Sequence, residues 1–275
     1  MLGYFVVLIL LEKGNAHVTK EILLSNAVTA KGKGMLDYGI SLACRLAADF
    51  DLAGLELLLG WLPTMKGWRL LPAGQVKGIH LPWDSEFQIP WGWNHEAGFM
   101  DNLKGKAAYL TQARTSTALK VADELGVEYR VIHPGAFAGG EFPAAVLKAI
   151  PGLAFENDWT PVGFKGIEAA LRCSDLTGAG IVLDTCHLAR VAEDADCAIK
   201  VAKAVMDRLV AVHVSDYDEK RGEHLVPRWG NEGFKPLPYV LDAVRSARPR
   251  VPMVIEVMEG DPRKAVEDTY TYLTR

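Results

Sequence analysis

Seven acidic or imidazole side chains interrupt apolar runs along this chain: Glu56, His80, His133, Glu156, Asp184, His213 and Glu256. Their settings are "GLELLLG", "VKGIHLP", "YRVIHPG", "GLAFEND", "GIVLDTC", "LVAVHVSD" and "VPMVIEV". A buried charge in such a run costs roughly several kcal/mol unless it is paired or binds a metal. Any one of these residues, taken alone, is as well explained by a hydrogen-bonded place in a core. Taken together they form the donor set of a divalent-metal site, since imidazole and carboxylate oxygen suit Zn2+, Mn2+ or Fe2+. Histidine usage sharpens the point. Of the seven histidines, His80, His133, His187, His213 and His224 fall on these runs or just after them, whereas His17 and His95 lack that context.

Such a set works only if the chain brings its members to one place. The apolar runs, with "EILLSNAV" as the first, number eight and alternate with amphipathic stretches at 38–50, 102–125, 142–149, 165–175, 193–208, 236–247 and 262–273. That alternation is the pattern of βα units around a parallel sheet. Eight units without a Pro-, Gly- or Ser-rich linker predict an α/β fold, a single (β/α)8 TIM barrel over residues 21–275. The rival, a doubly wound open sheet, is weakened because no GxGxxG follows the first strand. In a barrel the strand ends that carry the polar residues open on one face, where active sites are built. Residues 1–20, with the apolar "YFVVLILL", read as an extra N-terminal strand or hairpin arm and an element suited to contact between copies. Eight apolar residues are too few for a membrane span of about 20, and no secretory leader is expected.

Bulk properties narrow the partners. A net charge of −4 and a pI of 6.0 lack the basic excess of a protein that grips nucleic acid, so nucleic acid is not the expected ligand. Cys44, Cys173, Cys186 and Cys197 show no CxxC spacing and read as reduced thiols in a cytoplasmic protein, Cys186 as an inert neighbour of the ring. All seven tryptophans follow strands, and Trp83, Trp91 and Trp93 share the loop "HLPWDSEFQIPWGWNHE" with Phe87. Aromatic faces there suit the apolar side of a sugar ring, although a packed roof over the barrel explains them equally. Lys220, Arg221 and Arg228, after the seventh strand, suit a phosphate or carboxylate, or else are solvated loop charges.

"HLP" at 80, "HPG" at 133, "EN" at 156, "DTCH" at 184, "HVSD" at 213 and "IEV" at 255–257 follow the order seen in xylose-isomerase-like barrels. The chain resembles this superfamily of sugar phosphate isomerases and epimerases and of endonuclease IV (AP endonuclease family 2) from about residue 21 onward. The endonuclease likeness implies one metal on His80, His133 and Glu156, a second on Glu156, Asp184, His213 and Glu256, and a third aided by His187 and His224. The aspartate expected two residues before the last of these is Gly222 here, with Glu223 as a substitute, which puts the third metal in doubt. The epimerase likeness implies a single metal on Glu156, Asp184, His213 and Glu256, with His187 on the substrate. Further contacts to substrate or metal are expected from Glu56, His224, Lys220, Arg221, Trp83 and Trp91.

The resemblance implies a metal-dependent isomerase or epimerase of a sugar or its phosphate, with Glu156 and Glu256 as acid and base and one to three ions, Mn2+ or Zn2+ foremost. An endonuclease IV-like multi-metal phosphodiester hydrolase is the alternative, and a non-catalytic metal-binding barrel the second.

Overall fold

The computed structural model describes residues 21–29, 36–58, 67–72, 74–81, 117–134, 144–157, 166–192, 194–228 and 234–275. The expected arm at 1–20, most of the expected helix at 102–125, and Trp83 and Trp91 lie outside the described residues.

The strands are β1 (Ile22–Ser25), β2 (Gly54–Leu58), β3 (Val76–His80), β4 (Tyr129–Ile132), β5 (Leu153–Glu156), β6 (Gly180–Asp184), β7 (Leu209–Val214), β8 (Asp216–Asp218), β9 (Gly222–Leu225) and β10 (Met253–Ile255). All but β8 and β9 run parallel in chain order, and β10 pairs back onto β1 through Ile22–Met253 and Leu24–Ile255. This is the closed eight-stranded barrel that the alternating runs predict. Strands β8 and β9 form an antiparallel hairpin where a plain loop was expected after the seventh barrel strand.

Why these segments form this barrel follows from a period of two. Ile22, Leu24, Leu55, Leu57, Ile132, Phe155, Ile181, Leu183, Val212 and Ile255 face outward into one large apolar core shared with the helices. Their neighbours Leu23, Tyr129, Val131, Ala154, Val182, Ala211 and Val254 point inward and form a second, separate core inside the barrel. Strands buried on both faces read as continuous apolar runs, which is why the segments stand out in the sequence. Advancing two residues from an inward apolar position reaches His133, Glu156, Asp184, His213 and Glu256. The polar ring is the next layer above an apolar plug.

The helices, α1 (Leu36–Asp49), α2 (described over 117–125), α3 (Ala144–Lys148), α4 (Gly166–Thr177), α5 (Thr185–Val191), α6 (Ala195–Val205), α7 (Leu237–Ala247) and α8 (Pro262–Thr274), supply the outer layer. Asp194 and Asp261 cap α6 and α8, their carboxylates accepting from the Cys197 and Lys264 amides. The helix expected at 193–208 is α6 followed by a 3-10 turn at Met206–Arg208.

Candidate metal centre

Each ring member is held by its strand and by one local device. Asp184 ends β6 and caps α5: Oδ1 accepts from the His187 amide at 2.7 Å, while Oδ2 has no hydrogen-bond partner. One oxygen therefore starts the helix and the other is left facing the ring. Asn157 locks β5 to β6, donating from Nδ2 to the Asp184 carbonyl at 2.9 Å and accepting the Asp184 amide at 2.6 Å. Its own carbonyl accepts from His187 Nδ1 at 2.8 Å and so turns that ring. His80 donates from Nδ1 to the Leu81 carbonyl at 3.0 Å, which directs Nε2 inward to within 2.9 Å of His133 Nε2 and 3.2 Å of Glu156 Oε2.

The result is two groups that share Glu156. His80, His133 and Glu156 form one, and Glu156, Asp184, His213 and Glu256 the other; within each, one ligand atom per residue lies within 4.8 Å of all the rest. Every member is buried. His213 Nδ1 lies 2.7 Å from Glu256, 3.3 Å from Glu156 and 4.0 Å from Asp184, and it has no geometrically satisfied hydrogen bond. Three carboxylates thus converge on a single imidazole nitrogen. That donor set fits a divalent cation, whose charge would offset what the histidines offset only by binding protons.

The ring carboxyls do not all shift one way: burial, with Glu156 and Glu256 nearby, holds Asp184 above the usual range, whereas the histidines hold the two glutamates below it. Burial pushes the Glu156 carboxyl up, yet His133 and His213 outweigh it and hold it well below the usual range. Burial raises Glu256 as well, but His213 brings it down to about 2. Burial lowers His187, and Asp184 and Glu156 more than reverse this, raising it to about 9. These shifts set the stability of the metal-free protein. The His187 contribution is complete below its ordinary 6.5 and is lost as pH rises through about 9. That of Glu256 is complete above its ordinary 4.5 and is lost as pH falls toward about 2. Protein in EDTA is therefore expected to melt highest between about pH 4.5 and 6.5 and lower at pH 9. With Zn2+ present the alkaline trend should reverse, because ligands bind deprotonated. An EDTA sample whose melting temperature climbs from pH 6.5 to 9 would contradict this assignment.

The remaining expected site residues separate into two sets. His187 is buried beside Glu156 at 3.3 Å, and its ring lies 5.6 Å from that of His224, but among the described residues these two form no third ligand group. Gly222 has φ +99°, a backbone value that suits glycine, and Glu223 pairs with Arg190 instead of turning inward. Arg221 and Arg228 both reach Glu259, and Lys220 lies exposed at the hairpin turn. Glu56 lies one layer deeper than the ring, mid-strand, and is fully buried. Cys186 accepts the His224 amide, and burial together with Asp184 pushes its thiol up, away from reactivity. Trp68, the tryptophan within the described residues, packs into the outer core.

Sequence reasoning passed over Asn157 and Tyr129. Asn157 stands in the quoted "EN" pair, so its place beside Glu156 was the available signal. Tyr129 opens β4 like any strand aromatic, and nothing in the linear pattern marks its hydroxyl. A separate cavity of about 730 Å3 lies at the opposite end of the barrel, lined by Tyr129, Leu153, Gly180, Arg248 and Pro252 among others, and it contains no ring member. The ring, at the strands' carboxyl ends, is where barrels carry out chemistry.

No family model matches this chain, and no curated protein matches it in sequence. Solved structures do. A D-tagatose 3-epimerase-like protein is 15% identical, with 92% of this chain and 97% of that one covered, at a TM-score of 0.62. The 3-keto-D-glucoside 4-epimerase of E. coli is 15% identical over 92% and 98%, at 0.61. Endonuclease IV from Thermus thermophilus is 20% identical over 92% and 98%, at 0.53. The likeness is one of fold across nearly the whole chain, and it is the fold that the "DTCH" and "HVSD" motifs resemble.

Proposed function

We propose that the ring binds a divalent metal ion and that the protein is an isomerase or epimerase of a sugar or sugar-derived small molecule. The observation that carries this reading is the convergence of Glu156, Asp184, Glu256 and His213 within 4.8 Å at the carboxyl ends of the strands. Glu156, Asp184 and Glu256 with His213 Nδ1 would hold the ion; Mn2+ and Zn2+ suit the donors best. When bound, the ion supplies Lewis acidity that eases formation of an enediolate from a hydroxyketone.

The chain does the rest. Glu156 and Glu256 are both held ionised at neutral pH, so either can accept a carbon-bound proton and then, as the acid so formed, give it back to the enediolate. Return on the opposite face requires the other carboxyl to have first taken a proton from solvent. His187, fixed by Asn157 and at the edge of the ring, is placed to donate to a substrate oxygen. The resemblance in fold to two sugar epimerases supports this choice.

Metal-loaded protein incubated in D2O with a panel of ketoses, aldoses and their phosphates tests it. Deuterium should enter one C–H position of at least one sugar, followed by NMR. No exchange with any sugar, combined with nicking of DNA at abasic sites, would defeat the proposal.

One observation favours the hydrolase as a second reading. His80, His133 and Glu156 make a second ligand group that a one-metal proton transfer does not require. Metal content of the purified protein separates the two readings: about one ion per chain is expected for the isomerase, whereas two would favour the hydrolase, which uses paired ions to clamp a phosphodiester.

A further inference from the structure

Glu56 is fully buried, at 0% exposure, yet it faces neither the ring's opening nor any lysine or arginine in the ion pairs around it. Among the described residues its partners are two. The Tyr129 hydroxyl donates to Oε2 at 2.8 Å, and His213 Nε2 lies 3.0 and 3.2 Å from its two oxygens. The layer around them is apolar, with Leu23, Val131, Ala154, Val182, Ala211 and Val254 filling the barrel interior. Burying a charge in such a layer is expensive even when it is paired, so a carboxylate here is not explained by packing. Glu56 is therefore there for what it does to His213.

We propose that Glu56, held by Tyr129, is a positioning residue that commits His213 to bind metal through Nδ1. This inference rests on the metal reading of the ring. A neutral imidazole carries one N–H, and the atom that carries it is decided by the acceptor available. Glu56 accepts from Nε2–H and leaves the Nδ1 lone pair directed at the space shared by Glu156, Asp184 and Glu256. With an apolar residue at 56 there is no such acceptor below the ring. The proton then favours Nδ1, where three carboxylates await it, and coordination is blocked. Outer partners of this kind typically contribute about 10- to 100-fold to metal affinity. Tyr129 completes the arrangement by fixing the carboxylate plane, and Gly78 gives its ring room: a Cβ at Gly78 would lie 2.3 Å from Tyr129 Cζ.

The test is Zn2+ affinity, measured by competition with a chromophoric chelator, in wild type, Glu56→Leu, Glu56→Gln and Tyr129→Phe. Glu56→Leu should bind about 10- to 100-fold more weakly, and the metal-free protein should melt lower as well, because the buried Tyr129 hydroxyl and His213 Nε2–H lose their acceptor. Glu56→Gln, whose amide oxygen still accepts from Nε2–H, should recover part of the loss, and Tyr129→Phe should lose less than Glu56→Leu. In a His213→Ala background, Glu56→Gln should have no further effect on affinity, because the residue through which it acts is gone. Unchanged Zn2+ affinity in a folded Glu56→Leu overturns the proposal. If that variant does not fold, unchanged affinity in a folded Glu56→Met, which also lacks an acceptor for Nε2–H, does the same. Wild-type protein that binds no Zn2+ removes the metal reading itself, a distinct result.

Discussion

Glu156→Gln is expected to lose turnover by about 10³-fold or more and to bind ions weakly in both halves of the ring. General acid–base catalysis by a positioned side chain is typically worth about 10²- to 10⁴-fold, and the variant also loses a ligand charge. Among the described residues, no other member belongs to both groups. The substitution keeps shape and hydrogen-bonding reach. The carbonyl can still face His80 or His213, but it carries no negative charge and cannot take up a proton. The fold should persist, because Glu156 lies above the apolar plug formed by Ala154, Val182 and their neighbours. Metal content and sugar-exchange rate should therefore fall together while circular dichroism is unchanged. A Glu156→Gln protein with wild-type exchange would show that the proton is moved elsewhere.

The second large effect concerns stability. Gly78→Ala would place a methyl group 2.3, 2.4 and 2.6 Å from Tyr129 Cζ, Cε2 and Oη. The ring cannot retreat, since it is itself in the barrel's inner core and its hydroxyl is tied to Glu56. Overpacking of a core typically costs about 1–3 kcal/mol, and for a chain of this size each kcal/mol lowers the melting temperature by about 2–4 °C. A fall of roughly 2–12 °C is expected. Metal affinity should drop as well, because the displaced hydroxyl releases Glu56 and, through it, His213. A Gly78→Ala protein that melts with the wild type would mean that Tyr129 does not fill the barrel axis. In that event the support for Glu56 would have to come from elsewhere.

These two expectations differ in how far the sequence alone leads to them. The ring was legible because inward and outward positions alternate, so one polar residue at the end of each apolar run points to the same rim. That alternation put Glu156, Asp184, His213 and Glu256 on the rim together with the other polar residues before any coordinates. What singled out the four was the xylose-isomerase-like resemblance. Glu56 could not be placed as well. It stands in a similar run, but β2 and β3 carry a register irregularity at Leu55–Glu56, and Glu56 pairs with Gly78, two residues short of His80. Its depth in the barrel depends on that register, which a single run does not encode. The Tyr129–Glu56 bond joins residues 73 apart in the chain for the same reason. Helix α5 was hidden because it is only 7 residues long and begins inside the "DTCH" motif, where chemistry and capping use the same aspartate. The β8–β9 hairpin was obscured by the charged "YDEKRGEH" stretch, whose alternation is too short to distinguish from a loop.

Glu156 Oε2 lies 3.2 Å from His80 Nε2, 3.3 Å from His133 Nε2 and 3.3 Å from His213 Nδ1. A single oxygen is thus common to both halves of the rim, and two cations seated there would not load independently. Occupying either half draws on the electron density that the other half needs. A chain that took up two ions would therefore show unequal steps in a calorimetric titration, and one expected to hold a single ion should show one. By thermodynamic linkage, each ion must weaken its neighbour by the same factor, whichever arrives first.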